Sequence, residues 1–154
     1  MVARCSPTTW AEAAGVSAQA LAIRDRAAQL ARTDADAWHA ALEALADSGD
    51  EGGADRRNHE LERKLDLAAA APLEIAQLAA DLAELAAAAA ERCEGSFRAD
   101  AAAAAALAAG AARAAAHLVE VNLTVRVGDE RLTKARASHQ AASESADRVL
   151  TVLE

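Results

Sequence analysis

Long runs of alanine constrain this chain more than any other feature of its sequence. The longest, AAAAAALAAGAARAAA, covers residues 101–116. Alanine is the best helix former because its side chain loses no rotamer freedom in a helix. Aromatic residues, which favour strands, are scarce: the chain has two Trp, one Phe and no Tyr. We therefore predict an all-α fold.

Alanine also limits how the core can be built. The chain is 53% hydrophobic, yet its mean hydropathy is −0.01 because alanine buries little apolar area. A core of Ala and Leu excludes water only where helices approach closely. The 154 residues suffice for one domain, residues 1–154. We expect an antiparallel bundle of five to six helices, and small side chains on several faces suggest a dimer.

Hydrophobic periodicity and helix breakers place the elements. The predicted helices span residues 11–30, 33–46, 56–71, 98–123 and 129–153. A further helix restarts at Pro72, between the third and fourth of these. DSGDEGGAD, residues 47–55, is the clearest loop, and residues 94–100 form a short break. The alternating VEVNLTVRV has no partner strand, so we interpret it as a helix end and a turn.

Charge excludes several classes of partner. The net charge is −8 and the pI about 5.0, without the basic stripe that nucleic acids or anionic membranes require. The alanine runs are too short and too closely flanked by charges to predict a membrane span, and the N-terminus does not resemble a signal peptide. We expect a soluble cytoplasmic protein.

Metal and disulfide chemistry are not indicated. Cys5 and Cys93 lie far apart in the sequence, as expected of two thiols in a reducing compartment. The four histidines are isolated from other metal-ligating residues: His39, His59, His117 and His139. We therefore expect no bound metal.

One local cluster is basic: Arg56, Arg57, Arg63 and Lys64. Its members seven residues apart lie on one helical face. Two interpretations fit: a solvated face with a Glu60–Lys64 pair, or a surface that binds a carboxylate tail. The residues alone favour the solvated face.

The segment TDADAWHAAL also has two interpretations. Thr33 as N-cap with Asp36 at the third helical position resembles a capping box. Asp34 would then lie in the first turn, where the helix dipole favours a negative charge. Alternatively, Asp34 transfers protons in catalysis. Taken alone, this segment favours capping.

Three segments in order resemble the cyclodeaminase/cyclohydrolase family of folate enzymes: TDADAWHAAL, ADRRNHELERKLDLAAAAPLEIA and ADAAAAAALAAGAARAAAHLVEVNL. The family pattern of Asp, small, any, Ala, Phe reads here from Asp34 to Trp38, with Trp in place of Phe. The Pro-Leu pair corresponds to residues 72–73. The Asp before the alanine-rich helix is Asp100, and the Asn-Leu near its end begins at Asn122. The resemblance covers most of the chain, and the order and spacing of the segments carry it.

The resemblance implies an all-helical homodimer acting on a tetrahydrofolate derivative, either as cyclodeaminase or as methenyltetrahydrofolate cyclohydrolase. It maps the catalytic acid to Asp34 and substrate-binding positions to Asp100 and Asn122. A helix C-terminal cap is an equally good interpretation of Asn122. From charge alone, we infer that Arg56, Arg57 or Lys64 meets the glutamate tail of the folate.

One feature of the family has no counterpart here. Family members open with a Gly-Gly-Gly-Ser loop and a helix of small residues, whereas this sequence begins at MVARCS, which resembles that helix's end. Two expectations follow: the natural protein is longer, or this member is a catalytically inactive helical dimer on the same fold.

Overall fold

A computed structural model describes residues 2–5, 10–46, 53–123 and 128–150 of the chain, and every regular element within them is helical. The α-helices are α1 (Val2–Cys5), α2 (Ala13–Ala46), α3 (Gly53–Ala68), α4 (Ala70–Arg92), α5 (Arg98–Asn122) and α6 (Glu130–Leu150). A short 3₁₀ turn, Gly95–Phe97, joins α4 to α5. The predicted all-α class is confirmed.

Helices α4, α5 and α6 form the core, and their contacts are made largely by alanine. Ala83 on α4, Ala105 and Ala112 on α5, and Ala142 on α6 are completely buried. A methyl side chain holds neighbouring axes close together, so each helix excludes water despite its small residues. The predicted start of α5 is confirmed, and α6 begins one residue later than predicted. Residues 151–154 lie outside the described part of the chain.

Residues 13–46 form one continuous helix, and the two helices predicted there were wrong. The Thr33 hydroxyl donates to the Gln29 carbonyl one turn earlier at 3.3 Å, a bond made inside a helix and not at its start. No Gly or Pro separates Leu30 from Ala41, and both are buried. The capping interpretation of Asp34 is therefore corrected: this residue lies in a helix interior.

Helix α2 runs antiparallel to α4. Val16 and Leu85 line one groove, while further along α2 the Arg26 guanidinium donates to the Glu74 carboxylate. Residue numbers on α4 thus fall as those on α2 rise. Asp34 lies eight residues beyond Arg26, or about 12 Å along the axis. Extending this register places Asp34 at the level of residues 66–68, where α3 ends.

The junction between α3 and α4 is a break of one residue at Ala69. It lies three residues before Pro72, where we predicted the restart. Proline has no N–H group and so cannot donate to the carbonyl four residues earlier, which is that of Ala68. The Asn122 side-chain amide donates to this carbonyl at 3.1 Å, and Asn122 is only 9% exposed. A side chain from α5 thus replaces the backbone bond that Pro72 cannot make.

The α3 segment differs from its prediction in two details. It begins at Gly53, inside the predicted loop, and ends at Ala68 instead of residue 71. Leu67, near the end of this helix, is 55% exposed. Residues 47–52 of that loop lie outside the described ranges.

One helical stretch in the described residues, Gly95–Asn122, is long and apolar enough to cross a membrane by composition. It packs against both α4 and α6, as the core helix of a bundle does. The absence of membrane association stays a prediction.

The Asn122–Ala68 bond can be tested by a double-mutant cycle with Pro72. We expect Asn122→Ala to lower the free energy of unfolding by about 1–3 kcal/mol, because it leaves a buried carbonyl without a donor. In a Pro72→Ala background, the new N–H can bond to Ala68, so the same change should cost about 1 kcal/mol less. Urea denaturation of the four proteins measures the coupling, and strict additivity would contradict this account.

Candidate functional site

Asp34 is a half-buried carboxyl in the middle of α2. Burial raises its pKa above the ordinary value because partial loss of water disfavours the charged form. Trp38 lies one turn further along the same face and is 47% exposed. This face of α2 therefore presents a carboxyl that holds a proton more tightly than usual beside an accessible aromatic ring.

A second group of polar residues surrounds the end of α3. We call the side chains of Asp66, Asn122, Asp129 and Arg131, together with the Ala68 carbonyl, the break cluster. The Arg131 guanidinium donates to the Asp66 carboxylate, and its Nη1 donates to the Asp66 carbonyl at 3.1 Å. On its other side it donates to both Asp129 oxygens, at 2.7 and 3.0 Å. Arg131 thus joins the start of α6 to the end of α3.

The break cluster places side-chain donors at two carbonyls near the end of α3. A helix end leaves its last carbonyls without intrahelical donors. At the end of α3, Arg131 bonds to the carbonyl of Asp66 and Asn122 to that of Ala68. Asp129 accepts from the backbone N–H of Arg131 at 2.9 Å and so caps α6. Bonds to Asp129 and Asp66 raise the pKa of Arg131 further, so it stays charged.

The antiparallel register between α2 and α4 places Asp34 at the same level along the helix axis as this cluster. Sequence analysis identified Asp34 and Asn122 but missed Asp66, Asp129 and Arg131. Asp129 carried a signal, because an aspartate directly before a helix is a common N-cap. The contact between Asp66 and Arg131 spans 65 positions, and no local pattern reports it.

The basic cluster lies on α3 and is partly paired. The predicted Glu60–Lys64 pair is present at 3.9 Å. Arg63 donates to both Glu60 oxygens at 2.9 and 3.2 Å, which lowers the pKa of Glu60. Arg56 is exposed two turns before Lys64, and the side chain of Arg57 lies outside the described part of the structure. Lys64 lies within about one helical turn of the level of Asp34, while Arg56 lies about 12 Å further along α3.

Asp100 is not near the other candidate residues of the same chain. It is exposed in the first turn of α5, whereas Asn122 is the last residue of that helix. Twenty-two residues of helix separate them by about 33 Å. One chain therefore does not bring Asp100 and Asn122 together.

Two further features concern the expected absence of metal and disulfide chemistry. Among the described residues, no three His, Cys, Asp or Glu side chains are grouped as a metal site would need; the absence of a metal stays a prediction. Cys93 is a free, buried thiol whose pKa is raised by burial. The side chain of Cys5 lies outside the described part of the structure.

A helical domain with a half-buried carboxyl in the interior of its longest described helix can now be compared with known proteins. Residues 3–142 match the family model for formiminotransferase-cyclodeaminase, so the chain belongs to that family. This match confirms the resemblance carried by the three sequence segments.

The fold is shared with a solved structure. The crystal structure of formiminotetrahydrofolate cyclodeaminase from Thermotoga maritima matches with a TM-score of 0.63 at 21% sequence identity. The match covers 81% of this chain and 62% of the other, so the chain spans less than two thirds of that protein. The comparison with curated proteins gave no match.

The position of Asp34 predicts how its replacement changes stability with pH. The pKa of Asp34 is raised in the folded state, so the folded protein loses stability as pH rises above the unfolded value of 3.8 towards the folded one. We expect Asp34→Asn to be as stable as the wild type or more stable at pH 7, with the difference shrinking near pH 3. Thermal unfolding at both pH values measures this, and a loss of about 1 kcal/mol at pH 7 would instead indicate a cap.

Proposed function

We propose that this protein is a folate one-carbon enzyme in which Asp34 transfers protons. Its substrate is 5-formiminotetrahydrofolate, which it cyclises, or 5,10-methenyltetrahydrofolate, which it hydrolyses. The observation that carries the proposal is a half-buried carboxyl with a raised pKa, at the position that family resemblance assigns to the catalytic acid. A proton-transfer group is most effective when its pKa lies near the working pH.

Both reactions need a positioned carboxyl that accepts a proton and then donates it. In cyclodeamination of the protonated formimino group, N10 bonds to the formimino carbon, the bond from that carbon to the imino nitrogen breaks, and a proton passes from N10 to the departing ammonia. In hydrolysis, the water oxygen bonds to the methenyl carbon and one of the two carbon–nitrogen bonds of the bridge opens. One water proton passes to the freed nitrogen and the other is released to solvent, which leaves a formyl group. Asp34 accepts the first proton and returns it to the leaving nitrogen in either case.

The surroundings of Asp34 suit the rest of a folate. Trp38, one turn away and partly exposed, offers a flat apolar surface to a conjugated ring. Lys64 lies within about one turn of the level of Asp34, and Arg56 lies about two turns further along α3, so a glutamate tail can extend from the reacting carbon along basic side chains. Asp100 of the same chain has no part in this arrangement.

The first test compares Asp34→Asn with Asp36→Asn on both substrates. Asparagine keeps the shape of aspartate but carries no titratable proton, so we expect kcat to fall about 10²- to 10⁴-fold at position 34. Asp36 is exposed two residues away and points elsewhere on the helix, so its variant should keep wild-type kcat. The absorbance of 5,10-methenyltetrahydrofolate, formed or consumed, measures turnover.

Two outcomes would contradict the proposal. If folded Asp34→Asn kept full activity, another group would transfer the proton. If the wild type converted neither substrate, the chain would be a non-catalytic helical protein with the same fold, the alternative raised by its sequence.

The basic face can be tested through KM. We expect Lys64→Gln to raise KM for a glutamate-bearing substrate about three- to tenfold, as for loss of a partly exposed ion pair, with kcat unchanged. Arg24→Gln makes the same charge change on an exposed part of α2 and serves as control. If both variants raised KM equally, the effect would come from the net charge of the protein. If Lys64→Gln left KM unchanged, Lys64 would not bind the glutamate tail.

A further inference from the structure

A small cavity lies where the end of α4, the start of α5 and the end of α6 meet. Its walls are Ala90 and Glu91 of α4, Arg98 of α5 and Val149 of α6, and its volume is about 210 Å³. Ala90 and Val149 are almost completely buried, with 2% and 3% of their surface exposed. The cavity therefore combines two apolar walls with one cationic and one anionic side chain.

The Arg98 side chain lacks a partner in this cavity. Its Nε is buried and has no hydrogen-bond acceptor among the residues that the structure describes. No ion pair within those residues includes its guanidinium group either. A buried N–H group without an acceptor lowers stability, because it has lost its bond to water and gained none in return. Arg98 therefore brings both a free donor and an uncompensated positive charge to the cavity.

The groups nearest to Arg98 do not supply the missing negative charge. The Glu91 carboxylate accepts a hydrogen bond from Arg148 Nε at 3.0 Å, so its charge is already paired with a residue that does not line the cavity. Burial raises the pKa of the Cys93 thiol, and the nearby Arg98 charge lowers it by less. The thiol therefore stays protonated at neutral pH and offers Arg98 no counter-charge.

The start of α5 adds to the preference of this cavity for a negative charge. Helix α5 begins at Arg98, and its N-cap residue Phe97 provides no side-chain acceptor for the first turn. A helix N-terminus carries a partial positive charge from N–H groups that have no partner within the helix. The guanidinium and the helix start thus place positive potential on the same side of the cavity.

A second buried donor belongs to the same end of the bundle. Trp10 is 4% exposed, and its indole Nε1 has no acceptor within the described ranges. Trp10, Ala90 and Val149 are members of one buried apolar cluster. Trp10 Nε1 and Arg98 Nε are the buried side-chain nitrogen or oxygen atoms that the described part of the chain leaves unpaired, and both are donors. This end of the bundle therefore lacks acceptors and not donors.

We propose that this cavity binds a short aliphatic monocarboxylate. The carboxylate accepts hydrogen bonds from Arg98, whose planar guanidinium matches two oxygens, and the alkyl chain packs between Ala90 and Val149. Glu91 lines the same cavity, so an anion of higher charge such as phosphate is repelled more strongly than a carboxylate. Arg98 lies about 36 Å along α5 from Asn122, so this site is separate from the proposed folate site and does not depend on it.

Nuclear magnetic resonance titration of the ¹⁵N-labelled full-length chain tests the site. Sodium butyrate, added at constant ionic strength, should shift the Arg98 Nε–H resonance and the backbone amides of Ala90 and Val149. We expect a dissociation constant of about 1–10 mM, as fits so small a ligand. Affinity should rise by up to about fourfold for each methylene from acetate to butyrate, because each is buried against the apolar walls. Inorganic phosphate should bind more weakly than butyrate.

Three arginine variants show whether Arg98 holds the carboxylate. Arg98→Gln should weaken butyrate binding about tenfold or more, and Arg98→Lys, which keeps the charge but not the planar fork, should bind with intermediate affinity. Arg92→Gln is the matched control, since Arg92 is exposed at the end of α4 and does not line this cavity. Far-UV circular dichroism checks that each variant folds. No shift across the millimolar range, phosphate binding as tightly as butyrate, or equal weakening by Arg92→Gln and Arg98→Gln overturns the proposal.

Discussion

The structure depends on one hydrogen bond that Pro72 cannot make. Because this residue has no N–H, the Ala68 carbonyl loses its helical donor and the chain breaks at Ala69. Asn122 supplies the missing donor from α5, and Arg131 donates to the nearby carbonyl of Asp66. The break is therefore held by side chains from two other helices, and it fixes where α3, α5 and α6 meet.

The register between α2 and α4 puts the candidate residue Asp34 at the axial level of this junction. Asp34 is a helix-interior carboxyl whose burial disfavours its charged form. Such a residue opposes folding at neutral pH, which is typical of functional positions and not of caps. The buried Leu30 and Ala41 on either side of it hold the helix in place. The stability that these apolar contacts provide lets Asp34 occupy its position.

Alanine accounts for both the core and the outer face of α5. Inside, methyl groups bring α4, α5 and α6 close enough to exclude water. Outside, the same residue leaves a smooth apolar surface that solvent does not favour. The chain belongs to the formiminotransferase-cyclodeaminase family, and it shares its fold with a solved formiminotetrahydrofolate cyclodeaminase.

The sequence by itself determined the helical class, the start of α5, the Glu60–Lys64 pair and the family, because propensity, spacing and segment order are local properties. It misplaced the end of α3 and divided α2 at Thr33, since a local capping pattern was overridden by burial on both sides. Only the tertiary structure decided that Asn122 bonds to Ala68 and that Arg131 joins Asp66 to Asp129. Asn122 and Ala68 lie 54 positions apart in the sequence, and Arg131 and Asp66 lie 65 positions apart. A contact between such distant segments forms only when the helices have packed.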